Sequence, residues 1–391
     1  MTGGTRSYEM ARRLVKMGHD VDMITSWRDP SVHTDWFITV ESGITVHWLP
    51  VLYSNHMSYK DRIRSFFKFA FRAAIKAAKL SAQADIIFAT STPLTIILPG
   101  FYASRRNGIP LVFEVRDLWP ELPIAMGALR NPVARSAARL LENLAYRSSA
   151  HIIALSPGMV DGIVKTGIPT SCITEISNSS DLEVFRPDLL SRKSFREQLC
   201  IKNDQILVVY AGTFGRINGV DYLVKLAAQL SNDDRFYFLL LGDGYEYSKI
   251  VNLAKSLGVL NSNLSIMPSV PKSEMPKVLA AADIATSLFI PLKAMESNSA
   301  NKFFDGLASG SCMAINYGGW QADLLSKSGA GIQLSTDINL AAQQFCELAD
   351  NSDRILQAKT AARRLAVQCF ARDKLAHKFE HVLLRSIRKF N

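Results

Sequence analysis

Residues 206–244 read ILVVYAGTFGRINGVDYLVKLAAQLSNDDRFYFLLLGDG. Residues 206–210 form a short, wholly apolar run, the pattern of a strand buried on both faces. A glycine-containing turn follows as far as Gly219. Residues 220–230 then carry apolar positions at helical spacing, and a second apolar run, 236–241, closes on Gly242-Asp243-Gly244. Strand, loop, helix and strand in that order make a βαβ unit, whose two strands run parallel and need a crossover between them.

The same logic extends in both directions. Downstream, residues 264–267, 284–287 and 313–316 read as further strands. Upstream, a helix over residues 6–17 carries Met10, Leu14 and Met17 on one stripe and is stopped by Gly18. Strand-like runs follow at 21–25, 45–49, 86–89, 111–115, 152–155 and 173–176, most of them separated by helical stretches. A polar seam at 178–194, holding Pro187, divides the two halves. A chain of 391 residues is too long for one ordinary core. The expected fold is therefore α/β: two doubly wound Rossmann-like domains, residues 1–187 and 188–371, facing a central cleft. Open sheets of this kind bind ligands at the carboxyl ends of their strands.

Apolar residues make up 48% of the chain, so it can bury two cores, and disorder or a fibrous repeat is excluded. The formal net charge of +10 implies an anionic partner, and the excess gathers in residues 58–80 and 354–391. Cys172, Cys200, Cys312, Cys346 and Cys369 stand far apart without a C-x-x-C pair. That spacing predicts reduced, mostly buried thiols in a cytosolic protein. No apolar run before a cleavage site opens the chain. Residues 86–102 are broken by Pro93, Pro99 and Gly100, and fall short of the roughly 20 apolar residues a membrane span needs. A cytoplasmic protein is expected, at most peripheral at the inner face of the plasma membrane.

Four loops carry candidate chemistry. Gly3-Gly4-Thr5-Arg6 precedes the first helix, where glycines admit close backbone approach and a helix start favours an anion. Residues 211–219 place Gly212, Thr213 and the always-charged Arg216 between a strand and a helix, a setting suited to a diphosphate. The spacing is not G-x-G-x-x-G, so a dinucleotide fingerprint is absent. Residues 296–310 run from a polar loop with Ser297, Asn298 and Asn301 into a helix with Lys302 and Asp305. Those groups exceed what an ordinary Ser/Asn N-cap needs, and they suit sugar hydroxyls, phosphate and a ribose diol. Glu114, Arg116 and Asp117 stand at the end of a buried strand. Arg116 and Asp117 are the catalytic candidates, and an Arg–carboxylate pair that fixes the loop explains the same residues equally well. No zinc pattern or P-loop is present, and Asp20 and Asp22 have D-x-D spacing only where a helix turns into a strand. No metal and no cofactor are expected.

Seven stretches, in order, resemble the family 4 glycosyltransferases, retaining enzymes of GT-B fold: GGTRSYEMARRLVKMGHDVDMITS, FEVRDLWPELP, NSSDLEVFRP, YAGTFGRINGVDYLV, LGDG, VPKSEMPKVLAAADI and NKFFDGLASGSCMAI. The resemblance covers nearly the whole chain. It is strongest to bacterial transferases of O-antigen and capsule clusters, including N-acetyl-L-fucosamine transferases. It implies a nucleoside-diphosphate sugar, with UDP the expected nucleotide, in the second domain. Gly212, Thr213, Arg216 and Lys302 would hold the diphosphate, Asp305 the ribose, and Ser297, Asn298 and Asn301 the donor sugar. Val270 and Pro271 would lie near the base. Gly4, Thr5, Arg116 and Asp117 would face a saccharide or polyprenyl-diphosphate-linked acceptor, and residues 372–391 would form a helix crossing back to the first domain. Transfer would retain the anomeric configuration without a metal.

The sequence departs from the family in three places. Ser297 and Asp305 occupy the positions of a common E-x7-E motif, with Glu296 one place early. Asn218-Gly219 replaces a common Lys-Gly pair, and both changes are like the O-antigen subgroup. The first glycine loop begins at Thr2, where the family has a preceding strand; a sheet lacking its first member, or a start further upstream, is expected.

Residues 58–80 predict an amphipathic helix. Arg64, Lys68, Arg72 and Lys76 form a basic stripe, and Ile63, Phe67, Ala70, Phe71 and Ala74 an adjoining apolar one. Such a helix suits an anionic membrane surface, and it equally suits a cover for the first sheet. A non-hydrolysing sugar-nucleotide epimerase shares the two-domain fold and is the rival enzyme reading. A nucleic-acid-binding module would want basic and aromatic residues interleaved on one surface. Residues 58–80 come nearest and are read otherwise, so no nucleic-acid partner is expected.

Overall fold

The computed structural model describes residues 6–29, 31–54 and 57–390. Gly4 and Thr5 lie outside the described residues. Two compact units divide the chain: the described residues up to Ser177 with those from Asp373 onward, and Asn178–Arg372. The expected boundary at residue 187 falls too late. The Ser180 backbone donates to Phe370 O and accepts from Arg372 N, and the Arg363 guanidinium donates to the carbonyls of Leu182 and Phe185. Those bonds tie residues 178–187 to the second unit.

The first unit holds β1 (Asp22–Trp27), β2 (Phe37–Glu41), β3 (Ile44–Pro50), β4 (Ile87–Thr90), β5 (Leu111–Val115), β6 (His151–Ala154) and β7 (Ile173–Glu175). The single sheet expected here is two. One has the order β1-β3-β2, with β1 parallel and β2 antiparallel to β3; the other is parallel, β4-β5-β6-β7. The Arg6–Lys16 helix serves both. Its Met10 and Leu14 pack with Val112 and Ile153 of the parallel sheet, while Ala11 packs with Ile44 and Val46 of β3. The Arg372–Phe390 helix adds Leu375, Phe379 and Val382 to the Met10 cluster, and Asp373 pairs with Arg13.

The second unit is one parallel sheet of β8 (Ile206–Ala211), β9 (Phe236–Leu241), β10 (Leu264–Met267), β11 (Ile284–Ser287), β12 (Cys312–Ile315) and β13 (Gly331–Gln333), in the order β10-β9-β8-β11-β12-β13. The chain winds outward from β8 to β10, returns to lie beside β8, and winds outward again. The switch falls between β8 and β11. Crossovers leave these two strands toward opposite faces, so their carboxyl ends open a crevice. Beneath it, Val208, Tyr210, Phe238, Leu240 and Phe345 are fully buried, each large side chain contributing about 1.5–3 kcal/mol of burial.

The thiol expectation needs correction. All five cysteines are free, but only Cys312 is buried, Cys200 and Cys369 are exposed, and the other two are half-buried. Cys200 follows the Leu189–Gln198 helix, and Cys369 is the last residue of the Ser352–Cys369 helix.

Candidate functional site

The loop after β8 is held by the loop after β9. Gly212 N donates to Leu241 O at 2.9 Å, and Phe214 N to Asp243 O at 2.9 Å. This requires glycine at two places: a Cβ on Gly242 would overlap the Gly212 carbonyl, and one on Gly244 would lie 2.7 Å from Phe214 O. Past Phe214 the chain makes one 3-10 turn, Arg216–Asn218, which closes on Gly219 at φ 53°. Arg216 is exposed and makes no side-chain hydrogen bond or ion pair among the described residues. Thr213 is exposed too, and its carbonyl accepts from Tyr210 Oη at 2.9 Å.

On the other side of the switch, β11 leads through Phe289 and a 3-10 turn, Lys293–Ser297, into the Asn301–Ala308 helix. An ordinary Ser/Asn cap does not account for this start. The N-cap residue is Ala300, and no side chain caps the helix. Ser299 is turned away and buried, its hydroxyl accepting from Asn178 N at 3.1 Å and its carbonyl from Asn178 Nδ2. The Asn298 carbonyl accepts from Trp320 Nε1 at 2.9 Å. Behind the turn, a Cβ on Gly319 would lie 2.7 Å from Glu296 Cβ, so Gly318-Gly319 gives this segment its room. The uncapped helix start leaves N–H groups and the positive end of the helix dipole for a ligand.

Lys302 joins the two loops. Its Nζ donates to Tyr210 Oη at 3.1 Å and to Asn218 Oδ1 at 3.1 Å, and lies 4.5 Å from the Tyr210 ring centroid and 5.7 Å from that of Phe289. A Cβ on Gly212 would sit 3.4 Å from it. Burial without a neighbouring carboxylate pulls the ammonium down to about 7. One turn along, Asp305 Oδ1 accepts from Ser180 Oγ at 2.7 Å. Gly212, Lys302 and Asn218 thus meet at the switch point, with Asp305 on the same helix and Ser297 and Asn298 on the segment leading into it. Asn301 is exposed at the helix start, and Val270 and Pro271 follow β10.

Arg116 and Asp117 stand in the first unit, at the carboxyl end of β5. Arg116 N donates to Ser91 Oγ at 2.9 Å, and Asp117 Oδ2 accepts from Thr92 Oγ1 at 2.8 Å. Burial pushes the Asp117 carboxyl up, with Thr92 and Arg116 opposing the shift. The pair that fixes this region is a different one. Glu114 is buried, accepts from Arg6 Nε at 2.7 Å and from Thr90 Oγ1 at 2.7 Å, and the same Arg6 donates to the carbonyls of Ile176 and Ser177.

Sequence reasoning took Tyr210 only as the end of a buried strand and Asn218 as a mere departure, and passed over Phe289, Ser91 and Thr92 altogether. The available signal was position: each stands at the carboxyl end of a strand or in the loop that leaves it. Among the described residues no three His, Cys, Asp or Glu gather as a metal site, and no helix is long and apolar enough to cross a membrane.

Comparison with known proteins agrees with this architecture. Residues 2–179 match the model of the glycosyl transferase 4-like domain, and residues 191–302 that of glycosyl transferases group 1. The putative colanic acid biosynthesis glycosyl transferase WcaI of Escherichia coli is 20% identical over 297 residues, 72% of each chain. Among solved structures, Anabaena HepE in complex with UDP and glucose superposes with a TM-score of 0.72 at 15% identity, covering 98% of this chain and 97% of that one. Sucrose-phosphate synthase from Thermosynechococcus elongatus gives 0.79 at 16% identity, covering 100% and 94%. At such identities the structures establish the fold alone. With a 4-like first half and a group 1 second half, in that order and spanning most of its length, the chain belongs to the family 4 glycosyltransferases of GT-B fold.

Proposed function

We propose that the enzyme moves a sugar from a nucleoside-diphosphate sugar, with UDP as the nucleotide, to a saccharide or polyprenyl-diphosphate-linked acceptor in surface-polysaccharide synthesis of the O-antigen or capsule kind. The observation that carries the donor assignment is Lys302, at an uncapped helix start and beside Gly212. A diphosphate there would meet the Lys302 ammonium, the free helix N–H groups and Arg216, which has no other partner among the described residues. Asp305 would take the ribose, and Ser297, Asn298 and Asn301 the donor sugar. HepE, whose structure was solved with UDP and glucose, and WcaI, named for colanic acid synthesis, support this class of donor and product.

The acceptor hydroxyl attacks the anomeric carbon as the bond to the diphosphate breaks. Negative charge grows on the leaving phosphate, where fixed cations and N–H groups lower the barrier without a metal. The acceptor's proton passes to a leaving-phosphate oxygen on the same face, so the anomeric configuration is retained. Arg116 and Asp117 are assigned to the acceptor.

Calorimetry with UDP in EDTA tests the donor site. Binding is expected, and Lys302→Ala should weaken it at least tenfold, because a charge-assisted hydrogen bond is worth roughly 1.5–3 kcal/mol. Binding only when Mn²⁺ is added would overturn the metal-free reading.

A further inference from the structure

The Tyr59–Leu80 helix has its side chains inverted with respect to a simple cover. A helix that only shields a sheet turns its large apolar residues inward and its small or polar ones out. Here Ala70, Ala73 and Ala78 are buried at 1%, 1% and 6% exposure, while Phe67, Phe71 and Ile75 are 52%, 73% and 49% exposed. The alanines let the helix lie close to the Ile97–Asn107 helix, whose Asn107 Nδ2 donates to Ala78 O at 2.8 Å. Packing in this unit therefore does not need the outward phenylalanines.

The outward face has a definite charge. Phe67, Phe71 and Ile75 recur every fourth residue, and at 3.6 residues per turn they share an arc with Arg64, Lys68 and Lys79, all exposed. Lys60 continues the arc toward the helix start. The helix carries seven basic residues and one acid, Asp61, which sits in the first turn, takes the Ser58 hydroxyl and lies 3.5 Å from Arg64. The basic stripe read from sequence is divided. Arg72 pairs with Asp35 and lies 5.9 Å from the Trp36 ring, and Lys76 lies 5.7 Å from that ring. These two hold the helix to the chain before β2, and Arg64 and Lys68 are left outward.

We infer that this face is a docking surface for an anionic lipid bilayer, with Phe67, Phe71 and Ile75 entering the headgroup boundary and Lys60, Arg64, Lys68 and Lys79 meeting the lipid phosphates. Charge complementarity selects the lipid, and the row of apolar side chains on a single helix face selects a bilayer over a purely ionic partner. The inference does not rest on the proposed reaction, since it needs neither nucleotide nor acceptor.

Flotation of the full chain with vesicles of phosphatidylglycerol and phosphatidylethanolamine tests it. The wild type should float at low salt, release at high salt, and fail to float with pure phosphatidylcholine. Each basic residue is worth roughly a fivefold partition effect, so Arg64→Gln/Lys68→Gln should weaken partition about 30-fold. Phe67→Ser/Phe71→Ser should also lose flotation, with melting unchanged because neither ring is buried; Phe71→Ser alone, at the most exposed position, serves if the double variant is unstable. A wild type that stays unbound, or variants that float like it, overturns the assignment. So does a row that matters only for binding single-stranded RNA or for self-association, with flotation untouched.

Discussion

UDP binding should draw a proton onto Lys302. Burial holds this ammonium at about 7, against 10.5 for an ordinary lysine. At pH 8 only about one site in ten is then protonated. A diphosphate against Nζ replaces lost hydration with negative charge and favours the ammonium. Binding at pH 8 should take up roughly 0.9 proton per UDP, and affinity should fall by up to about tenfold per pH unit above 8. Competing titrations are few in this window: a terminal phosphate is ionised above about pH 6, and burial pushes the Tyr210 hydroxyl above its ordinary range. Calorimetry of UDP in Tris and in Hepes at pH 8 reads the uptake from the difference in apparent enthalpy. Lys302→Met should abolish it. Tight binding with no uptake in the wild type would mean that Lys302 is already charged or does not meet the phosphate, and the site as built here would be wrong.

Three further outcomes follow from the geometry. The folded pKa of Lys302 lies below its unfolded value, so between about 7 and 10.5 the unfolded chain holds more protons and stability rises with pH; Lys302→Met should flatten the rise of Tm across that window. Gly242→Ala drives a methyl into the Gly212 carbonyl, which should cost about 1–3 kcal/mol in urea unfolding and weaken UDP binding by displacing the loop. Arg6→Met leaves Glu114 charged and buried and should cost about 3–5 kcal/mol, whereas Arg6→Met with Glu114→Gln should recover part of that loss in the same assay.

The second unit was legible because β8, β9 and β12 are continuous apolar runs buried on both faces, and β10 and β11 are short, mostly apolar runs between helical stretches. All five strands read from that half are present, with ends shifted by at most a residue or two, and only the three-residue β13 escaped. The first unit was harder. β2 went unread because it is an edge strand with alternate residues exposed, joined to β3 by a two-residue turn. Ser42 and Gly43 take φ 53° and 80° there, a Ser-Gly hairpin signal that was on the page. Among candidate-site residues, Gly212 stood out in a glycine-rich turn between strand and helix, and Lys302 as a cation at a helix start. Tyr210 did not, because its ring belongs to the core and only its hydroxyl reaches the site. The outward turn of Phe67 and Phe71 was hidden for a different reason: a helical period fixes which residues share a face, and the packing partners decide which face is covered.

Two ionisable groups in the second unit, the buried Asp283 and the half-buried Lys302, support placing the proposed donor site at the switch. Asp283 precedes β11, at the amino end of the strand. Burial pushes its carboxyl up, yet Lys359, Arg192, the Leu207 N–H and Arg196 outweigh that and hold it low. Its charge is met from every side, as a charge serving the fold alone must be. Lys302, beyond the carboxyl end of the same strand, has a phenol, an amide oxygen and two aromatic rings around it, and no carboxylate among the described residues. It avoids the cost of an unmatched buried charge by releasing its proton near neutrality. The proposed diphosphate is an anion that the uncapped helix start and Arg216 would also attract, and as part of the substrate it would bring Lys302 its charge only while bound. In the proposed reaction that pairing would become strongest as the leaving diphosphate gains charge, which is the condition for an interaction to lower the barrier as well as hold the donor.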